Sequence, residues 1–331
     1  MIPLKIAGSG IYRPRNALLS SELDDKIGRP TGWTQERFAI ISRAIASADE
    51  TSSFMGAQAI RCAMKNAGWS LDAPDVIIGA CGVMEQPIPS TSVLIQQKLG
   101  LGKSGIPTFD INLTCLSFLF ALDVAAMGIS CGRWKRVVIV SSDIASAGLD
   151  YNMPEIASIF GDGAAAICIE ATTDPSGAGI LAQGFETYGD GHQLATLRSG
   201  GTRIRIEDGF DAIKKGAKFE MDTFGIFKAA AKCLPRLIDR VLAEAGHTRD
   251  SIDLIVCHQA SAPAIGHVRK LFKSAPNRVV DIFATTGNQI ATSIPTALCH
   301  ALHNNMAKSG DHVLLLGTAA GVSAGAMLLR I

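Results

Sequence analysis

The sequence predicts an α/β fold, and three observations carry that prediction. Short runs rich in Val, Ile and Ala alternate with segments of helical period along the chain, the pattern of mostly parallel strands joined through helices. The pattern occurs twice. DVIIGAC from Asp75 is echoed by DLIVCH from Asp253, and FDIN, a loop, Cys115, an apolar helix and RVVIVSSD are echoed by VDIF, a loop, Asn288, a helix and HVLLLGTA. Finally, each half closes on a Gly-rich turn and an apolar strand, FGDGAAAICIE in the first and AAGVSAGAMLLRI in the second. A repeat of roughly 150 residues is too long for a solenoid and divides the chain into halves 1–174 and 175–331.

The elements follow in chain order. Ser53 to Ala67 reads as a helix with Ile60, Ala63, Met64 and Ala67 on one face and Gly68 as its stop. Strands are expected at 75–82, 136–143, 164–170, 253–259, 278–283 and 312–318. Residues 175–225, richer in Gly, Thr and charge, read as connector and surface loops. Val313 to Leu329 is uncharged but broken by three glycines, so it reads as two buried strands and a turn rather than a membrane span.

Composition narrows the function. The chain has 331 residues, 47% hydrophobic and 18% charged, enough for one large core or two fused ones. A net charge of +1 excludes nucleic acid as the main partner, and Lys214, Lys215 and Lys218 read as a solvated face. Eight cysteines without a C-x-x-C pair suit reduced thiols in a cytoplasm, not a disulfide framework. The N-terminus has too short an apolar run for a signal peptide. The expectation is a soluble cytoplasmic protein without membrane contact.

The chemistry is expected beyond the strand ends, where loops lead into helices. Cys115 heads the apolar stretch that runs to Cys131, with Asp123 as its only charge. A buried cysteine usually fills space, but one at a helix N-terminus can be a nucleophile, because the helix dipole favours its thiolate. His258 follows the LIVC strand, and Asn288 lies in TTGNQ just before a helix. If the halves pack as twofold mates, Cys115 and Asn288 occupy corresponding positions across one pocket. A soft nucleophile with two hydrogen-bond donors suits thioester chemistry. Cys, His and Asn also serve papain-like proteases, but a duplicated α/β pattern argues against that fold. His300 and His303 lack a third ligand at a useful spacing, and Gly8-Ser9-Gly10 lacks the third glycine of a dinucleotide fingerprint.

Over its whole length the sequence resembles the β-ketoacyl-acyl carrier protein synthase III family of the thiolase superfamily. IAGSGIYRP, GWTQER, PSTSVLIQQKLGL, FDINLTCLSFLFALDVA, SSD, FGDGAAA, CHQAS, TGNQIATSIPTAL and AAGVSAGAMLL stand in the family's order. The resemblance implies a five-layered αβαβα fold, a homodimer, and a catalytic Cys115, His258 and Asn288 triad with no metal or redox cofactor. It implies that acyl-Cys115 forms from an acyl-CoA, with the backbone N–H of Cys115 and one near Ala320 as oxyanion hole. A malonyl thioester, its carbonyl held by His258 and Asn288, then loses carbon dioxide and condenses to a β-ketoacyl thioester. Trp33 and Arg37 match the family's adenine-stacking tryptophan and nucleotide-binding arginine. Arg269 and Lys270 fall where the family meets an acidic acyl carrier protein.

Several positions depart from the family. Arg37-Phe38-Ala39-Ile40-Ile41-Ser42-Arg43 replaces R-T-G-I-x-x-R, Pro154 stands near the place of a CoA-binding arginine, and Ser261 replaces a common asparagine. Ala320 stands where glycine is frequent. Ile88 replaces a phenylalanine that reaches the partner's acyl pocket, which leaves room for a longer or differently shaped chain. Such departures bring in an alternative within the same fold, a non-decarboxylating acyltransferase or a head-to-head acyl condensing enzyme of secondary metabolism.

Overall fold

The computed structural model describes residues 1–173 and 177–331, so the expected boundary at 174/175 lies outside the described residues. Nine strands form one sheet. They are β1 (Ile2–Tyr12), β2 (Val76–Gly79), β3 (Thr108–Asp110), β4 (Arg136–Asp143), β5 (Gly163–Ala171), β6 (Gly179–Thr187), β7 (Leu254–Cys257), β8 (His312–Ala319) and β9 (Ser323–Arg330). Across the sheet the order is β7-β8-β9-β6-β1-β5-β4-β2-β3. Six helices matter to the site: α1 (Trp33–Phe38), α2 (Ser52–Ala67), α3 (Ser117–Ser130), α4 (Thr223–Glu244), α5 (Ala262–Leu271) and α6 (Ser293–His303).

The layers follow from alternation along the strands. In the first half, Val76, Ile78, Val137 and Ile139 face one way, toward α3 and α6. Their neighbours Ile77, Val138 and Val140 face the other way, toward α2. In the second half, Val313 and Leu315 join the same central core, while Leu314 and Leu316 pack outward with α4 and α5. Helices therefore cover both faces of both half-sheets, with α3 and α6 between them. Strands buried on two faces read as unbroken apolar runs, and each Val, Ile or Leu so buried contributes about 1.5–3 kcal/mol.

The expected mostly parallel sheet is corrected. Among the described residues of this sheet, β7–β8, β2–β3 and β2–β4 pair in parallel, whereas β1–β5, β1–β6, β4–β5, β8–β9 and β9–β6 are antiparallel. The cause is that each half returns on its Gly-rich turn and pairs against the strand before it. Residues 175–225 are also more than connector: β6 lies within them and joins the two half-sheets through Ile2↔Ile180 and Pro3↔Gly179. The strand expected at 278–283 shrinks to a single bridge, Ile255↔Val279, with Val280 N–H donating to Ile255 O at 2.9 Å. It is the second half's counterpart of β3, itself only three residues long.

The helix expected from Ser53 to Ala67 is α2, one residue longer and capped by the Thr51 hydroxyl, which accepts from Phe54 N–H. The two glycines of GSG have a packing reason. At Gly10 a Cβ would lie 2.4 Å from Ala63 N, and at Gly8 2.4 Å from Ala63 O, so β1 approaches α2 backbone to backbone. Neither atom belongs to a flexible side chain that could yield. Gly10→Ala is expected to lower unfolding free energy by about 1–3 kcal/mol through overpacking, read as a shift in urea midpoint at unchanged slope.

Candidate active site

Cys115 lies in a 3-10 turn, Thr114–Leu116, and α3 proper begins two residues later at Ser117. That turn packs against β8, β9 and the 3-10 turn Ile290–Thr292 of the second half. The cysteine side chain touches both the central core and the outer core of the second half. It sits at the seam between the halves.

The same turn is built twice. Thr114 N–H donates to Asn112 Oδ1 at 2.9 Å, and Ile290 N–H donates to Asn288 Oδ1 at 2.9 Å. Leu113 N–H donates to Ser117 Oγ at 2.9 Å, and Gln289 N–H donates to Ser293 Oγ at 3.0 Å. Thr114 and Ile290 both take left-handed backbone, φ 50 and 52, an unfavourable state for β-branched residues that persists only where the surroundings impose it. The expected correspondence of Cys115 with Asn288 is therefore corrected. The mate of Asn288 is Asn112, and that of Cys115 is Ala291; the recurring spacing N-x-x-x-x-S was present in the sequence.

His258 follows β7 directly, its N–H donating to Leu316 O at 2.9 Å. Gly317 lies against it, since a Cβ there would stand 2.8 Å from His258 Cβ and 3.2 Å from Leu116 Cδ2. This glycine lets β8 pass between the histidine and the residue that follows the cysteine. Asn288 is held by its backbone, with N–H donating to Ile159 O at 2.7 Å and O accepting from Gly161 N–H at 3.1 Å. Gln289 Nε2 donates to Asp162 O at 2.9 Å, so FGDG is the anchor of the asparagine's loop. Asn288 Nδ2 donates to Ala260 O at 3.4 Å, which ties it to the loop leaving His258.

Electrostatics overturn the expected dipole-activated thiolate. Burial, then the nearby Asp143 carboxyl, push the Cys115 thiol up to about 12, against backbone N–H donation from Cys115 and Ala320. The resting group is a thiol, and the Ala320 N–H comes to it from the turn between β8 and β9. Burial pushes His258 down to about 4, which leaves a neutral imidazole at pH 7.

Asp143, quoted in the sequence only as part of SSD, is a missed member of this neighbourhood. It ends β4 fully buried and accepts from Gly82 N–H at 2.8 Å, Val83 N–H at 2.9 Å, Thr292 N–H at 3.1 Å and Thr292 Oγ1 at 3.0 Å. Burial nevertheless lifts its carboxyl to about 6. It couples the first half to the turn beside Asn288.

The remaining expected residues lie apart from this cluster. Trp33 is half-buried with Phe38 edge-on at 5.4 Å, Arg29 over its ring at 5.1 Å and Arg37 at 5.8 Å. Ser261 caps α5, its hydroxyl accepting from Ala264 N–H at 3.3 Å. Ile88 is 86% exposed. Arg269 pairs with Asp281 at 2.8 Å, while Lys270 is exposed. His303 Nε2 meets Ser9 Oγ at 3.0 Å, a structural partner. Lys214 and Lys215, read as a solvated face, are exposed, and with Lys218 they border an open depression of about 750 Å³ that Asp150, Met153 and Phe219 also line.

Two half-sheets enclosing paired central helices, with the Cys115 turn at their seam, define the class as the thiolase-fold enzymes. Within that class the chain belongs to the β-ketoacyl-acyl carrier protein synthase III family. The profile for 3-oxoacyl-[acyl-carrier-protein] synthase III matches residues 109–189, and that for its C-terminal part matches residues 242–331. The synthase III of Neisseria gonorrhoeae is 33% identical over 326 residues, 98% of each chain. That of Methylococcus capsulatus is 32% identical at the same coverage. The crystal structure of the Aquifex aeolicus enzyme, 29% identical, superposes with a TM-score of 0.89 over 99% of this chain and 100% of that one.

The buried neutral histidine has a thermodynamic signature. The unfolded chain protonates His258 near 6.5 and the folded protein only near 4. Its contribution is undiminished above pH 6.5 and is lost as pH falls toward 4, at about 1.4 kcal/mol per pH unit. His258→Gln is expected to flatten the acid limb of stability against pH, measured by urea unfolding between pH 7 and 4.5; parallel curves for both proteins would contradict a buried neutral imidazole.

Proposed function

We propose that this chain carries out decarboxylative condensation of an acyl thioester with a malonyl thioester, using Cys115, His258 and Asn288. The observation that carries the reading is the convergence at one seam of the Cys115 thiol and the Ala320 N–H, with His258 and Asn288 on linked loops beside it. The first half, 1–174, supplies the nucleophile and the second, 175–331, supplies the histidine, the asparagine and the Ala320 N–H.

In the first step Cys115 sulfur attacks the thioester carbonyl of an acyl-CoA. The thiol proton passes to the departing CoA sulfur, leaving acyl-Cys115 and free CoA thiol. The N–H groups of Cys115 and Ala320 stabilise the oxyanion, and their directions are set by backbone, so alanine serves at 320 as well as glycine. In the second step the carbonyl of a malonyl thioester accepts hydrogen bonds from His258 and Asn288 Nδ2. Loss of carbon dioxide leaves an enolate, which attacks the acyl-enzyme and expels the Cys115 thiolate; the thiolate takes a proton from solvent to regain the resting thiol, and the product is a β-ketoacyl thioester. Burial keeps His258 neutral, so it can donate to the developing enolate without the cost of burying a cation. No redox or metal chemistry is needed.

The assembly is proposed as a cytoplasmic homodimer that takes acyl-CoA and meets an acyl carrier protein, with no nucleic acid or membrane partner. The outward-pointing Ile88 supports a contribution to the partner's acyl pocket, where a branched aliphatic group leaves more room than a phenyl ring. Trp33 with Arg37 is the proposed nucleotide contact, reached by displacing Arg29 from the indole face. Lys270, Ser261 at the α5 cap and the lysine-lined cavity offer further approach surfaces.

Incubation with a panel of acyl-CoAs and malonyl thioesters, followed by weighing protein and products, tests the reading. Cys115→Ser is expected to abolish acylation. His258→Ala and Asn288→Ala should still acylate while losing condensation by about 100-fold or more. Acylation without carbon dioxide release in the native protein would favour the non-decarboxylating or head-to-head alternative instead.

A further inference from the structure

Beside His258 lies a small, partly open cavity of about 40 Å³ between β7, β8, α4 and α5, walled mainly by Phe227, Ala231, Leu234 and Val268. Two imidazoles line it, His258 and His267, with the Thr318 side chain as a further polar wall. His258 Nδ1 and His267 Nε2 are both buried, and among the described residues neither has a hydrogen-bond partner. A buried unpaired donor or acceptor costs about 1–3 kcal/mol, so two of them on one small cavity call for a shared partner. The space suits one water, which needs about 10–15 Å³ and two to four polar contacts.

The rings are constrained to serve it. His258 is 6% exposed, and Phe227 holds His267 edge-on with ring centroids 5.7 Å apart. Burial lowers both pKa values, with Lys270 adding to the effect at His267. Each neutral ring carries a single N–H, and the hydrogen bond at one nitrogen decides where it sits.

We propose that His267 is a positioning residue that selects the tautomer of His258 through one water held in this cavity. His267 Nε2–H donates to the water, and the water donates to His258 Nδ1. The N–H of His258 is thereby placed on Nε2, the nitrogen left free to meet a substrate carbonyl. This rests on the proposed role of His258 as a donor in decarboxylation, and it adds a residue outside the triad.

Ring ¹⁵N spectra and single-turnover kinetics test it together. The native protein is expected to show His258 as the Nε2–H tautomer. His267→Leu should move it toward Nδ1–H and slow malonyl decarboxylation by about 10–100-fold, the range for lost outer-shell hydrogen bonds. Cys115 acylation and thermal midpoint should hardly change. His267→Gln, which keeps a donor, should restore tautomer and most of the rate. An Nδ1–H tautomer in the native protein, an unchanged tautomer in His267→Leu, or equal slowing of both half-reactions in both variants would overturn the proposal. If the native protein released no carbon dioxide, the condensation reading would fall while the tautomer spectra still decided the role of His267.

Discussion

The dry seam around Cys115 is the constraint on which the rest of the site depends. Sulfur held between two cores loses the water that would stabilise its anion, and the carboxyl of Asp143 nearby adds to that cost. Backbone donation from Cys115 and Ala320 opposes the effect without overcoming it. The resting group is therefore a thiol, and the same low dielectric that suppresses the thiolate strengthens any donor aimed at a substrate oxygen. Burial thus opposes the thiolate and strengthens the few fixed N–H groups around it.

Holding that seam closed takes connections that cross the halves. Asp143 reaches over to Thr292, Gly161 and Ile159 grip the backbone of Asn288, and Gln289 returns to Asp162. Gly317 admits β8 between His258 and Leu116. The first three contacts tie the first half to the turn that carries Asn288 and Thr292, so the cluster draws on both halves. Networks of this kind are worth more than their separate bonds because each fixes the geometry of the next.

Duplication explains how such a site arises from one local design. The Asn-capped, strained turn before α3 recurs before α6, with the same Asn and Ser contacts. In the first copy the third position after the asparagine is Cys115 and Asn112 is exposed. In the second that position is Ala291, and the asparagine itself lies buried in the site. One turn thus presents different atoms to a common space, and an offset of three residues separates the two functions.

Much of this was legible from local pattern. Period-two and helical apolar spacing act between neighbours along the chain, so the α2 helix, six of the sheet strands, the duplication and the candidate residues Cys115, His258 and Asn288 could be read directly. What escaped depends on atoms distant in sequence. The small residues of β6 looked like linker because its stability comes from β1 and β9. Strand direction followed from how each half folds back, and the state of the Cys115 thiol from a desolvation summed over both cores. His267 stood unremarked on a helix until packing set it across a cavity from His258. Sequence determines which segments bury themselves and which reactive groups lie at their ends; only the packed tertiary structure decides which of those groups meet, and how little water they share.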